Sequence, residues 1–73
     1  MSKDIIGKCL LHKLLNESYM SQVDLSIATG ISKQQISEYI NNTRTMSLQN
    51  AKKIANILDC HIDDLYEWKL HEL

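Results

Sequence analysis

The stretch from Ser21 to Arg44, SQVDLSIATGISKQQISEYINNTR, leaves the backbone few options. Ser21 is a good N-cap residue, and Asp24 three places on resembles the second half of a capping box. Met20 and Leu25 flank that start at the spacing of a hydrophobic staple. Leu25 and Ala28 give this first helix its inward face. Thr29-Gly30 ends it, because glycine adopts the left-handed conformation without a Cβ penalty. Only Ile31 separates Gly30 from the next cap, Ser32. There the capping box is complete in residue type, Ser32 with Gln35, and Ile31 with Ile36 repeats the staple. The second helix runs to about Asn41, with Asn42 as its left-handed C′ residue.

Two short helices across a glycine turn, each with its own cap, meet the requirements of a helix-turn-helix. An ordinary αα corner has the same turn, so the wider pattern decides between them. The segment resembles the phage-repressor and Cro family of DNA-binding domains, also called Xre-type. That family's pattern is roughly S-Q-x-x-L-A-x-x-x-G-V-S-x-x-x-I-S. The chain supplies Ser21, Gln22, Leu25, Ser26 in place of the common Ala, Gly30, Ile31, Ser32, Ile36 and Ser37. The likeness continues through Ser47-Leu48, Ile54-Ala55, Ile57-Leu58 and Ile62-Asp63-Asp64-Leu65-Tyr66, and so covers roughly residues 5 to 67. It implies an all-α, compact five-helix, lambda-repressor-like domain in which the first motif helix crosses the DNA backbone and the second enters the major groove.

The rest of the chain is read to fit. Seventy-three residues make one domain, with the motif at 21–42. The absence of Pro and Phe, with only two Gly, favours helices. Helix one is expected from Asp4 to about Glu17, with Ile6, Leu10, Leu11, Leu14 and Leu15 as its apolar stripe. Lys3, Lys8, His12 and Lys13 are its polar positions, and Ser18-Tyr19 makes the corner into the motif. Thr43 to Met46 is a loop. Ser47 caps a fourth helix with Leu48, Ala51, Ile54, Ala55 and Leu58 inward, and Lys52 and Lys53 outward. Asp59-Cys60 breaks the chain. A last, acidic helix is expected over about 62–70, carrying Leu65, Tyr66, Trp68 and Leu70, with Asp63 and Asp64 favourable to its dipole.

Charge divides along the chain. Residues 1–58 hold seven Lys/Arg and four Asp/Glu, net +3, whereas residues 59–73 hold one Lys and five Asp/Glu, net −4. The acidic end should face away from DNA, and the weak positive field predicts modest non-specific affinity. No apolar run reaches a membrane span and no signal peptide is present, so a cytoplasmic protein is expected. Cys9 and Cys60 lack a zinc-site spacing, and His12, His61 and His71 form no ligand motif. No acid–base pair, nucleophile or phosphate loop emerges. The expectation is therefore no enzyme, no cofactor, no metal and no small-molecule ligand.

Ile36, Tyr39 and Ile40 fall on the inward face of the second motif helix. Lys33, Gln34, Ser37 and Glu38 remain outward, and the resemblance places base-reading side chains there. Gln bonds adenine N6 and N7, Lys donates to guanine O6 and N7, and Glu accepts from cytosine N4. Each is otherwise an ordinary solvated residue, and Glu38 could instead act by repelling wrong sites. By the same resemblance Gln22 bonds a phosphate. Ser32, Asn41, Thr43 and Arg44 are placed for backbone contact.

Two departures from the family stand out. An Arg late in helix one commonly pairs with a Glu late in the recognition helix, and the matching positions here are Leu15 and Ile40. Both partners are apolar, as if the ion pair were replaced as a unit. Asn42 stands where Gly is usual, and Asn tolerates the left-handed conformation.

The reading that fits best is a sequence-specific double-stranded DNA-binding transcriptional regulator, a dimeric repressor of phage or mobile-element type acting on an operator. The alternative is a protein-binding module, such as an antitoxin, whose partner is held by the acidic end. The dimer contact is expected at the Thr43–Met46 loop or the last helix, where Trp68 either anchors the interface or closes its own core.

Overall fold

Four serine or glycine signals set where the middle of the chain is helical. The computed structural model describes residues 5–70. Lys3, Asp4 and His71 lie outside the described residues. The elements run β1 (Ile6–Cys9), α1 (Leu11–Glu17), α2 (Gln22–Thr29), α3 (Lys33–Ile40), α4 (Leu48–Leu58), a 3-10 turn (Ile62–Leu65) and β2 (Tyr66–Trp68). Ser21, Ser32 and Ser47 each cap a helix, their hydroxyls accepting from the N–H groups of Asp24, Gln35 and Asn50 at 3.0–3.1 Å. The reciprocal bond, Ser21 N–H to Asp24 Oδ2 at 3.1 Å, completes the box at α2. At α3, where a complete box was expected, only the Ser32 half forms. A carboxylate is the stronger acceptor, and Gln35 offers only a neutral amide.

The ends of the chain correct the five-helix, all-α expectation. Helix one begins at Leu11, and the segment from Ile62 is one 3-10 turn (Ile62–Leu65) followed by strand β2, not a single helix over 62–70. Instead β1 and β2 pair antiparallel, with Ile6 opposite Trp68 and Cys9 opposite Tyr66. Three steps along β1 match two along β2, so a bulge lies between Ile6 and Cys9. Leu10 N–H donates to the Leu65 carbonyl and Lys69 N–H to the Ile5 carbonyl, each at 2.8 Å, extending the ladder. Tyr66, Glu67 and Trp68 are buried, exposed and half-buried in turn, which is the two-residue period of a strand. The apolar residues from Ile6 to Leu15 fit a helix by spacing alone, but Gly7 interrupts that pattern.

Gly7 has a strand-specific reason. A Cβ there would lie 2.8 Å from the Glu67 carbonyl oxygen and 3.2 Å from the Glu67 Cβ. Gly7→Ala should therefore push the strands apart and cost about 1–3 kcal/mol, the usual range for overpacking. Urea unfolding measures it, and wild-type stability in this variant would contradict the close approach.

The core is built where the elements meet. Leu11, Leu25, Ile36, Tyr39, Ile54 and Leu65 are fully buried. Two staple pairs contribute, Met20 half-buried beside buried Leu25, and Ile31 with Ile36, all in the one cluster. Three chain reversals share one geometry. Tyr19 (φ 54°), Asn42 (φ 63°) and Asp59 (φ 54°) each take the left-handed conformation after a helix. In each, the next N–H reaches back to the carbonyl five residues earlier, as in Met20 to Leu15, Thr43 to Glu38 and Cys60 to Ala55, at 3.0 Å.

Two positions expected to face inward are exposed. Leu48 is 76 % exposed, because it opens α4 one turn before the residues that meet the core. Ala28 is exposed, and the inner face of α2 is Leu25 with half-buried Gln22, Ser26 and Thr29. Hydroxyls are tolerated there because they are bonded: Ser26 Oγ donates to the Ile31 carbonyl at 2.6 Å, and Thr29 Oγ1 to the Leu25 carbonyl at 2.7 Å.

Trp68 covers its own core rather than standing free. Its indole N–H donates to the Asp63 carbonyl at 2.8 Å, and its ring meets Tyr66 edge-on with centroids 6.3 Å apart. The segment that carries it, expected as a helix, is strand β2, and of the two roles expected for Trp68 the packing matches closure of its own core.

Candidate nucleic-acid interface

The turn between α2 and α3 is held at several points. Gly30 sits at φ 78°, and its N–H donates to the Ser26 carbonyl at 2.8 Å. Ser26, where the family pattern has Ala, ties the following Ile31 carbonyl back to α2. Ile31 N–H in turn donates to Thr29 Oγ1 at 3.2 Å. The Gly30 and Ile31 N–H groups and the Ile31 carbonyl are thus bonded locally, which fixes the angle of the turn.

Helix α3 is pinned on its inner side. Ile36 and Tyr39 are buried, and Ile40 is half-buried against the same core. Asn50 Nδ2 on α4 donates to the Tyr39 hydroxyl at 2.9 Å. Just beyond the same C-terminal end, Asn42 Oδ1 accepts the Cys9 N–H of β1 at 2.8 Å. A helix held by the bonded turn at its start and by these contacts at its end presents its outer face in a fixed orientation.

That outer face carries the expected residues. Lys33 and Gln34 are exposed, and Ser37 and Glu38 are half-exposed one turn further on, in rows spaced four apart. Ser32, Asn41, Thr43 and Arg44 are exposed around the helix ends. Gln22 is half-buried at the first position of α2, where the first-turn N–H groups have no intrahelical acceptor. The structure brings two of these residues together. Arg44 Nε donates to Glu38 Oε1 at 2.8 Å. Spacing alone does not indicate this pair, because residues six apart meet only when a reversal such as that at Asn42 intervenes.

Leu15 and Ile40 both lie against the core, Leu15 at 2 % exposure. α1 and α3 are in contact, and Leu15 on α1 and Ile40 on α3, which match the positions of the family's ion pair, are both apolar. Burial pushes the Cys9 thiol up from its ordinary value, with the Leu11 N–H opposing, so Cys9 behaves as a small neutral core residue. Burial likewise pushes Tyr66 up, opposed by the Met46 N–H that its hydroxyl accepts at 3.0 Å. Cys9 and Cys60 are free thiols. Among the described residues there is no cluster of His, Cys, Asp or Glu able to hold a metal, and no helix is long and apolar enough to cross a membrane.

Comparison with known proteins agrees with this geometry. Residues 10–70 match the Cro/C1-type HTH DNA-binding domain. The chain is 44 % identical over 71 residues to the SPbeta prophage-derived uncharacterized HTH-type transcriptional regulator YopS of Bacillus subtilis, covering 96 % of each chain. It is 35 % identical over 63 residues to a second SPbeta prophage-derived uncharacterized HTH-type transcriptional regulator, YotL, of the same bacterium. That match covers 85 % of this chain and 79 % of YotL.

Proposed function

This chain belongs to the Cro/C1-type helix-turn-helix DNA-binding family, and on that premise we propose how it acts as a phage-type transcriptional regulator. α3 lies in the major groove of an operator. Lys33, Gln34 and Ser37 face base edges, while Gln22, Ser32, Asn41, Thr43 and Arg44 hold the phosphates on either side. The observation that carries this is the locked outer face of α3, exposed and polar, opposite Ile36 and Tyr39. α3 has eight residues and is about 12 Å long at 1.5 Å per residue. One such helix reads only part of an operator, so two copies bind together, about 34 Å apart on one face of the duplex. The regulator acts as a repressor by occupying that site.

The division of roles is tested by two variants against a library of operator sequences. Gln34→Ala should relax preference at one base pair and cost about 1–3 kcal/mol at the preferred site. Gln22→Ala should weaken binding to all sequences alike. Uniform loss in both variants would show that Gln34 does not read a base.

A further inference from the structure

Glu38 faces the same way as the proposed readers, yet a carboxylate near phosphates is repelled unless something neutralises it. Arg44 does so. The chain reverses at Asn42, and both the Thr43 N–H and the Thr43 hydroxyl bond the Glu38 carbonyl, at 3.0 and 3.2 Å. This reversal sets Arg44 beside the side chain of Glu38, where Nε and Oε1 lie 2.8 Å apart. The contact uses only one edge of the guanidinium. Among the described residues its two terminal amino groups have no other partner. The Arg44 side chain remains 54 % exposed and Glu38 33 %. An exposed pair of this kind adds little to stability, so its value lies in geometry. A planar guanidinium fixed at Nε presents its outer amino groups as a fork, the arrangement suited to a phosphate.

We propose that Glu38 is a positioning residue: it does not read cytosine but holds Arg44 by Nε, so that the guanidinium's two free amino groups clamp a phosphate beside the recognition helix. The inference rests on the proposed DNA reading by α3. It assigns the two members of one ion pair a joint role, fixing register on the duplex. It also accounts for an acidic side chain on a surface that approaches a polyanion.

The test is a double-variant cycle on double-stranded DNA, reading the ratio of operator affinity to non-specific affinity at fixed salt. Removing a negative charge raises binding to any DNA, so the ratio is the informative quantity. Glu38→Gln should lower the ratio roughly fivefold, with the same base preferred at every position. In an Arg44→Ala background, Glu38→Gln should leave the ratio unchanged, since there is nothing left to position. Arg44→Lys should resemble Arg44→Ala, because an ammonium cannot be held at one edge and fork at the other. Melting curves confirm that each variant is folded. A changed preference at one base pair that persists in the Arg44→Ala background would overturn the proposal in favour of direct reading by Glu38. An equal effect of Glu38→Gln in both backgrounds, or no effect in either, would also overturn it. Failure of the wild-type protein to prefer any duplex sequence would instead refute the underlying reading by α3.

Discussion

Leu15→Arg is expected to destabilise the domain by about 3–5 kcal/mol, the usual result of an unpaired buried charge. Leu15 is 2 % exposed in the core, and no acidic residue stands at Ile40 to receive the guanidinium. A small domain has only about 5–15 kcal/mol in total, so a large share of its stability would go. The effect should be specific to the missing partner. Adding Ile40→Glu, which restores the pair that the family resemblance places here, should recover part of the loss through mutual neutralisation. Chemical unfolding of the single and double variants measures both steps. Near-wild-type stability of Leu15→Arg alone would contradict the burial of Leu15.

Asn42→Ala is expected to cost about 2–4 kcal/mol, because two losses combine at one residue. The backbone at φ 63° disfavours a plain Cβ-bearing side chain, and the Cys9 N–H loses its acceptor Oδ1. Asn42→Gly separates the terms. Glycine, the family's usual residue here, removes the strain but still orphans the Cys9 N–H, so it should destabilise by about 1–2 kcal/mol instead of stabilising. The departure at Asn42 thus has a structural reason, since its side chain ties the end of α3 to β1. A glycine variant more stable than wild type would show that this link contributes nothing.

The central part of the fold was legible because its signals are local. Ser21, Ser32 and Ser47 cap where their sequence context says they should, and Gly30 and Asn42 take the left-handed conformation expected of them. The buried face of α3 follows from a simple helical period. The termini were not legible in the same way. Pairing of β1 with β2 joins residues some sixty positions apart, from Ile6 to Trp68, and no local rule reports such a contact. The helical spacing of Ile6, Leu10 and Leu14 was a coincidence of a short strand followed by a short helix. Gly7 was the available clue, together with the alternation at Tyr66-Glu67-Trp68. In the candidate interface, exposure of Lys33 and Gln34 followed from periodicity, whereas the Glu38–Arg44 pair depends on a three-dimensional reversal. The Cys9–Asn42 link is not legible in the sequence for the same reason: its partners are 33 residues apart.

Selection of genomic fragments on the purified protein, followed by footprinting and salt titration of those retained, tests the central claim most directly. The account predicts enrichment of one duplex sequence with two protected half-sites about 34 Å apart on one face. Affinity for it should fall steadily as salt rises, as phosphate neutralisation requires. Gln34→Ala should lose preference at the same base pair in each half-site. Retention of no particular duplex sequence, or binding to DNA that is indifferent both to salt and to Gln34, would contradict recognition by α3.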